Sequence, residues 1–227
     1  KMPKLTPKVK KLLIVMGPAA LGAGVIQLNL LLDMIIASHL PDASMSYLYY
    51  ADRLNQLPVG VIGVALGTVL LPLLSRNIAS GDEALVLKNQ NQAIEMGLFF
   101  TVPAAVAFIV VPADLIHVLL ERSSFTSEAT AQTSLTLMAY AAGLPAYVLA
   151  KVFVPGYFAR NDTKTPLKFA IVALFINVSL NLILMQYFAH VGLAMATAIS
   201  AWINVFMLAG GLMLRGHYKI ENYLLIR

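Results

Sequence analysis

From Phe169 to Leu214 the chain runs 46 residues without a formal charge, broken near its middle by a polar, glycine-containing pinch at His190–Gly192. A helix crosses a bilayer core with about 20 apolar residues. The run therefore predicts two spans joined by a tight turn. Four other charge-free runs, Leu12–Leu32, Leu54–Ser75, Met96–Ala113 and Ala129–Ala150, hold 18 to 22 residues each. Such lengths exceed a buried helix of a water-soluble domain and match a spanning one. The pattern predicts an all-α, polytopic membrane protein. Its six transmembrane helices are expected at 12–38, 45–78, 86–111, 129–158, 166–188 and 191–214, one lobe over 12–215. A basic segment, 1–11, precedes them and a connector, 216–227, follows.

Composition agrees: 59% of the 227 residues are hydrophobic and only 12% are charged. The net charge of +5 raises nucleic acid as a partner, but the positions of the charges answer it. Six spans divide the loops into two sets. One holds Lys1, Lys4, Lys8, Lys10, Lys11, Arg76, Lys88, Arg160, Lys164, Lys168, Arg215, Lys219 and Arg227; the other holds only Arg122. That asymmetry is the positive-inside pattern, which places both termini in the cytoplasm. The basic excess is topological, and no nucleic-acid binding is expected. With no cysteine, neither disulfides nor thiolate metal sites arise. The five lysines before the first span do not read as a signal peptide. The chain does not begin with methionine, and six-helix units are often one of two transporter repeats, so half of a longer protein is expected.

Against this apolar background the embedded polar groups carry the functional signal. Arg53 lies about nine residues, or roughly 13 Å, into the second span. A charge at the bilayer centre costs at least ~2.5–3.5 kcal/mol. Arg53 is therefore expected to face a bundle interior or a wet cavity. It pairs with Asp52 or snorkels outward, or else aims its guanidinium at an anion such as a phosphate, which it can grip with two hydrogen bonds. Gln56, three residues on, shares its face. Arg53, Asp52 and Gln56 form the candidate substrate-binding set. Asp33 sits late in the first span, one turn after Asn29; Asn177 and Asn181 pair in the fifth; Thr197 lies in the sixth. These oxygens suit either interhelical hydrogen bonds or a hard cation such as sodium.

Glu95 and Lys151 are expected in the cytoplasmic halves of their spans, where long stems snorkel to the interface. Pro58, Pro72, Pro103, Pro145 and Pro155 lie inside spans and either are merely tolerated or bend their helices. Gly60, Gly63 and Gly67 are spaced to let a neighbouring helix approach closely. The loop 112–128 is long enough for a short surface helix. The four histidines lack metal-ligand spacing, and there is no nucleotide-binding glycine loop and no HExxH. Nothing points to an enzyme.

Three strings resemble hallmarks of the MurJ (MviN) family within the MOP exporter superfamily. The longest runs from Tyr49-Tyr50-Ala51-Asp52-Arg53-Leu54-Asn55-Gln56 through Gly60, Gly63 and Gly67 to Pro72. Lys151-Val152-Phe153-Val154-Pro155-Gly156-Tyr157-Phe158-Ala159-Arg160-Asn161-Asp162-Thr163-Lys164-Thr165-Pro166 is the second, and Gly17-Pro18-Ala19-Ala20-Leu21-Gly22 the third. The resemblance implies the second six-helix lobe, helices seven to twelve, of a two-lobe lipid II flippase. Such a protein moves the undecaprenyl-pyrophosphate-linked peptidoglycan precursor across the bacterial inner membrane by alternating access. Arg53 matches an important family arginine and would contact the pyrophosphate or its flanking sugar. The implied partners are lipid II, membrane lipids and the N-terminal six-helix lobe that this chain lacks. The implied cofactor is at most sodium, over Asp33, Asn177, Asn181, the Leu193 carbonyl and Thr197, with the amide of Asn181 where the family pattern has an acid. Energy would come from membrane potential or an ion gradient. A related exporter of drugs or polysaccharide precursors, and a non-transporting scaffold of wall synthesis, are the alternatives.

Overall fold

A computed structural model describes residues 7–41, 43–122 and 125–219. Residues 1–6 of the expected basic segment and 220–227 of the connector lie outside it, as do Ser123 and Ser124. The described chain runs α1 (Pro7–Ala37), α2 (Ser44–Pro58), α3 (Val64–Ala79), α4 (Glu83–Val110), α5 (Pro112–Leu120), α6 (Ser127–Phe158) and α7 (Lys164–Leu214). Local chemistry sets several starts. Asp82 accepts the Leu85 amide at 2.9 Å and opens α4. Thr126 does the same for Ala129 at the head of α6, and Pro112 stands in the first turn of α5. The surface helix anticipated within 112–128 is α5.

A π-helical turn, Val59–Gly63, joins α2 to α3 into one apolar rod, Ser44–Ala79. Pro58 explains its position. Proline has no N–H, and its ring crowds the carbonyl four residues back, here Leu54. A widened turn relieves that crowding and changes the direction in which later side chains leave the rod.

The pinch at His190–Gly192 breaks α7 sharply. Ala189 takes φ 48° and ψ −128°, and the two limbs turn back on each other. A Cβ at Gly192 would overlap the backbone of Leu184, so only glycine fits where the limbs meet. At 51 residues, or about 76 Å of helix, α7 is long enough for two crossings. The other long helices, α1, the α2–α3 rod, α4 and α6, are apolar enough for one each. This is a multi-pass membrane protein. Val61, Val69, Phe99, Phe175 and Phe206 are 65–74% exposed, a distribution suited to lipid and not to water.

The centre of the bundle is α6, which packs against α2, α3, α4, α5 and α7, whereas α1 leans mainly on α7. The largest core joins Leu74, Val86, Val152, Tyr157 and Leu212 near one end of the bundle. Tyr157 donates its hydroxyl to the Leu208 carbonyl at 2.7 Å. Arg76, Lys88, Arg160, Lys164, Lys168 and Arg215 all belong to helix ends gathered there. Arg160 bonds Glu83 at 2.7 Å and the Gly156 carbonyl at 3.1 Å. Arg215 bonds both Asp162 and Thr165. These links tie the ends of α4, α6 and α7 together.

Asp162, in the turn between α6 and α7, makes a test of that end. Desolvation pushes its carboxyl up, but hydrogen bonds from Thr165 and Arg215 outweigh it and hold the group below its ordinary 3.8. A depressed carboxyl contributes stability that is complete above the ordinary value and lost as pH falls through the folded one. We expect the unfolding temperature of the full-length protein to drop more between about pH 5 and about pH 3 than that of Asp162→Asn. Equal slopes would remove this ion pair from the account.

Candidate functional site

Two contiguous, half-open cavities lie between the helices. The smaller, about 400 Å³, is bordered by α1, α2, α6 and the second limb of α7; Asp33, Tyr49, Asp52 and Thr197 line it. The larger, about 800 Å³, follows the α2–α3 rod from Asp52 to Leu71. Those 20 residues correspond to about 28 Å of helix from first to last, close to the thickness of a bilayer core. Leu30, Asp52, Tyr140 and Thr197 border both cavities.

Arg53 lines neither cavity. It is exposed on α2, with its guanidinium 4.7 Å from the centre of the Tyr49 ring. That contradicts the expectation that its charge turns inward. One residue is about 100° of helix, so Asp52 on the cavity wall directs Arg53 away from it. Nor does Arg53 form a salt bridge with Asp52 or any other described residue. Asp52 instead accepts a hydrogen bond from Gln56, one turn on, and both line the larger cavity. The three candidate binding residues thus divide: a hydrogen-bonded Asp52–Gln56 pair on the groove wall, and Arg53 turned off that wall beside the Tyr49 ring.

The polar residues of three apparently separate spans do meet. Asp33 reaches from α1 to Asn181 on the first limb of α7, whose amide nitrogen donates to it at 2.6 Å. The same nitrogen donates to Asn177 at 3.0 Å. Asn177 donates to Thr197 at 3.3 Å and to Ser200 at 3.4 Å, both on the second limb. Thr197 donates to the Leu193 carbonyl at 3.0 Å, and Asn29 donates to Asp33 at 3.2 Å. Asn177 and Asn181 are 1% and 0% exposed, so these bonds replace water that neither can reach. Ser200 was not anticipated; its place three residues after Thr197 was the available signal.

The donor set does not fit sodium as arranged. Sodium takes oxygen ligands, and the point between the Asp33 and Asn177 oxygens is filled by the Asn181 N–H groups. An ion would require the amide to turn, so that Asn181 Oδ1, now without a partner, faced inward. The chain's own amide does there what a cation would do elsewhere: it bridges two oxygens with positive charge, in partial form.

Lys151 lies in the half of α6 nearer the basic end, the half expected for it. Its Cδ lies against Gly63, where a Cβ would stand 2.6 Å away, and its carbonyl lies against Gly67. The side chain lines the larger cavity. Gly63 and Gly67 therefore serve close approach to α6, as their spacing suggested; Gly60 faces open space and does not. The π turn sets Gly60 off the face that Gly63 and Gly67 share.

A family model described as Lipid II flippase MurJ matches residues 2–226. A probable lipid II flippase MurJ of Rhizobium meliloti (strain 1021) is 44% identical over 225 residues, covering 99% of this chain and 42% of the relative. The Vibrio cholerae protein of the same description is 40% identical over 216 residues, covering 95% and 41%. The chain thus spans about two fifths of the length of these curated relatives. A solved lipid II flippase MurJ in an inward closed conformation superposes with a TM-score of 0.81 at 31% identity, covering 97% of this chain and 47% of that one. A multidrug resistance MATE family transporter of the MOP superfamily, outward-facing, gives 0.80 at 17% identity, covering 96% and 50%. That second likeness shows the fold alone.

Proposed function

The chain belongs to the lipid II flippase MurJ family, and from that premise we propose that it is one six-helix lobe of a transporter that carries lipid II across the bacterial inner membrane. The lobe works with a second lobe of similar size, and the substrate moves as the two rock about the space between them. Membrane potential or an ion gradient supplies the drive. The basic end of the bundle faces the cytoplasm, in keeping with the positive-inside asymmetry.

The observation that carries the reading is Arg53: a cation without a salt bridge among the described residues, set in a membrane-spanning rod next to Asp52, where a groove nearly as long as the membrane is thick begins. A scaffold has no use for such a charge. A lipid-linked pyrophosphate does, because its diphosphate needs a counter-charge while its prenyl tail stays in lipid. Asp52 and Gln56, bonded to each other, leave Arg53 free for that anion. No step depends on sodium.

The reading is tested by depleting a host of its own lipid II flippase and supplying the full-length protein. Growth should resume, and lipid II should become accessible to a hydrolase added from outside. Accumulation of lipid II on the inner face, with the protein present at normal levels in the membrane, would refute it.

A further inference from the structure

We propose that His190 is a proton-operated latch at the outer end of the bundle. Neutral, it holds the outer starts of α2 and α6 against the break in α7; protonated, it lets them part and opens the smaller cavity to the outer face. The inference rests on the transport reading above, which turns the pinch of α7 away from the cytoplasm, and adds to it a response to the pH outside the cell.

Three elements meet at this imidazole, in the turn between the two crossings of α7. His190 directly follows Ala189, whose φ of 48° and ψ of −128° make the break between the limbs. That conformation is sparsely populated for a residue with a Cβ and persists only where its surroundings hold it. The ring centre of His190 lies 5.2 Å from that of Tyr47, in the first turn of α2. From α6 the backbone carbonyl of Gln132 lies within reach of the ring. His190 is 8% exposed, and its Nε2 is buried without a partner among the described residues. Leu48, next to Tyr47, belongs to an apolar cluster with Ile36, Ala37 and Leu193. Ala37, Leu48 and Leu193 also line the smaller cavity. The latch thus stands beside an apolar plug between that cavity and the outer end.

A neutral imidazole suits this seat and an imidazolium does not. Protonation puts an N–H on both ring nitrogens. The seat offers one backbone carbonyl to them, and no described carboxylate forms an ion pair with the ring. A buried donor that carries charge and lacks an acceptor is costly. Burial accordingly holds the imidazole below its ordinary 6.5, and the Gln132 carbonyl offsets only part of that effect. The seat is at full strength above that value and weakens as pH falls below it, because the released ring takes up a proton more readily than the held one. The other charged and titratable groups on these elements are placed otherwise. Asp33 and Asp52 are hydrogen-bonded to Asn181 and Gln56, Arg53 lies on the Tyr49 ring, and His39 bonds the Ile35 carbonyl. Glu128, one turn before Gln132 on α6, is exposed, and Tyr187 on α7 is 77% exposed.

The test uses full-length protein in proteoliposomes, free of other cysteines, carrying either Leu48→Cys in the plug or Val118→Cys, at a position 67% exposed on α5. A membrane-impermeant thiol reagent is added outside while the outer pH is varied. Dividing the Leu48→Cys labelling rate by the Val118→Cys rate cancels the pH dependence of the thiol itself. That ratio should rise about tenfold from about pH 7.5 to about pH 5. Its midpoint should lie below 6.5. With His190→Gln added, the ratio should stay within about twofold over the same range, because an amide takes up no proton. Tyr47→Ala, which opens the ring to water, should move the midpoint up toward 6.5. Glu128→Gln should leave the response as it is. A flat ratio with His190 in place overturns the latch, and so does an acid response that survives His190→Gln or is lost in Glu128→Gln. If His190→Gln unfolds at a lowered temperature, Tyr47→Ala decides, and an unmoved midpoint overturns the latch. Lipid II flipping by the unaltered protein is measured in parallel. Flipping without an acid response removes the latch and leaves the transport reading standing; an acid response without flipping removes the transport reading and with it the latch's place in transport.

Discussion

Arg53→Ala in the full-length protein should lower the rate of lipid II flipping about 100-fold while leaving folding intact. The guanidinium forms no salt bridge with a described residue; its ring contact is Tyr49 at 4.7 Å, and an exposed cation–π contact is worth ~0.5–1 kcal/mol. Stability therefore has little to lose. Transport has more. Two charge-assisted hydrogen bonds to a diphosphate, each worth about 1.5 kcal/mol, sum to about 3 kcal/mol, or roughly two powers of ten. Arg53→Lys keeps the charge but loses the paired N–H geometry and should fall between. The measurement is the initial rate at which lipid II reaches the far leaflet of proteoliposomes. A rate unchanged in Arg53→Ala, at equal protein density, removes the arginine from the mechanism.

Asn181→Asp should make a sodium-indifferent protein sodium-dependent. The residue is fully buried, and its nitrogen now donates to Asp33 at 2.6 Å and to Asn177 at 3.0 Å. A carboxylate in its place converts two attractive contacts into oxygen–oxygen repulsion beside an existing charge. Leaving a buried charge uncompensated costs about 3–5 kcal/mol. In sodium-free buffer the variant should lose about that much stability. Sodium should restore part of it, because an ion that binds only the folded form stabilises it by mass action. The unaltered protein should unfold at one temperature in sodium and in potassium of equal ionic strength. Sodium-specific stabilisation of the unaltered protein would show that the Asn181 amide turns and that its unpartnered Oδ1 joins an ion site.

Much of the architecture was legible along the chain. Charge-free length predicted every crossing, because a span needs about 20 apolar residues whatever it packs against. The pinch at His190–Gly192 was readable for the same reason: 46 uncharged residues are too long for one crossing. The Asn177–Asn181 pair and Asp33 were visible as polar groups in apolar surroundings. What they do to one another was not. The 2.6 Å bond joins residues 148 positions apart, and no periodicity reports such a contact.

Side-chain direction was the weakest inference. Arg53 and Asp52 are neighbours in sequence, and depth in the span is the same for both. Only the packing of α2 against α6 decides which of them looks into the groove. Lys151 shows the same limit. Its distance from the helix end allowed snorkelling, and its stem is long enough to do so. The π turn after Pro58 and the missing side chain of Gly63 decide where that stem lies.

Sequence alone settled that this chain is a set of membrane-crossing helices, how many crossings it makes, where they turn and which few residues are too polar to be there by default. Those are one-dimensional properties, set by hydrophobic transfer and the rise of a helix. The tertiary structure alone decided which polar groups satisfy one another and which stay free. That depends on the rotation of each helix about its axis, and rotation is chosen by how neighbouring surfaces fit.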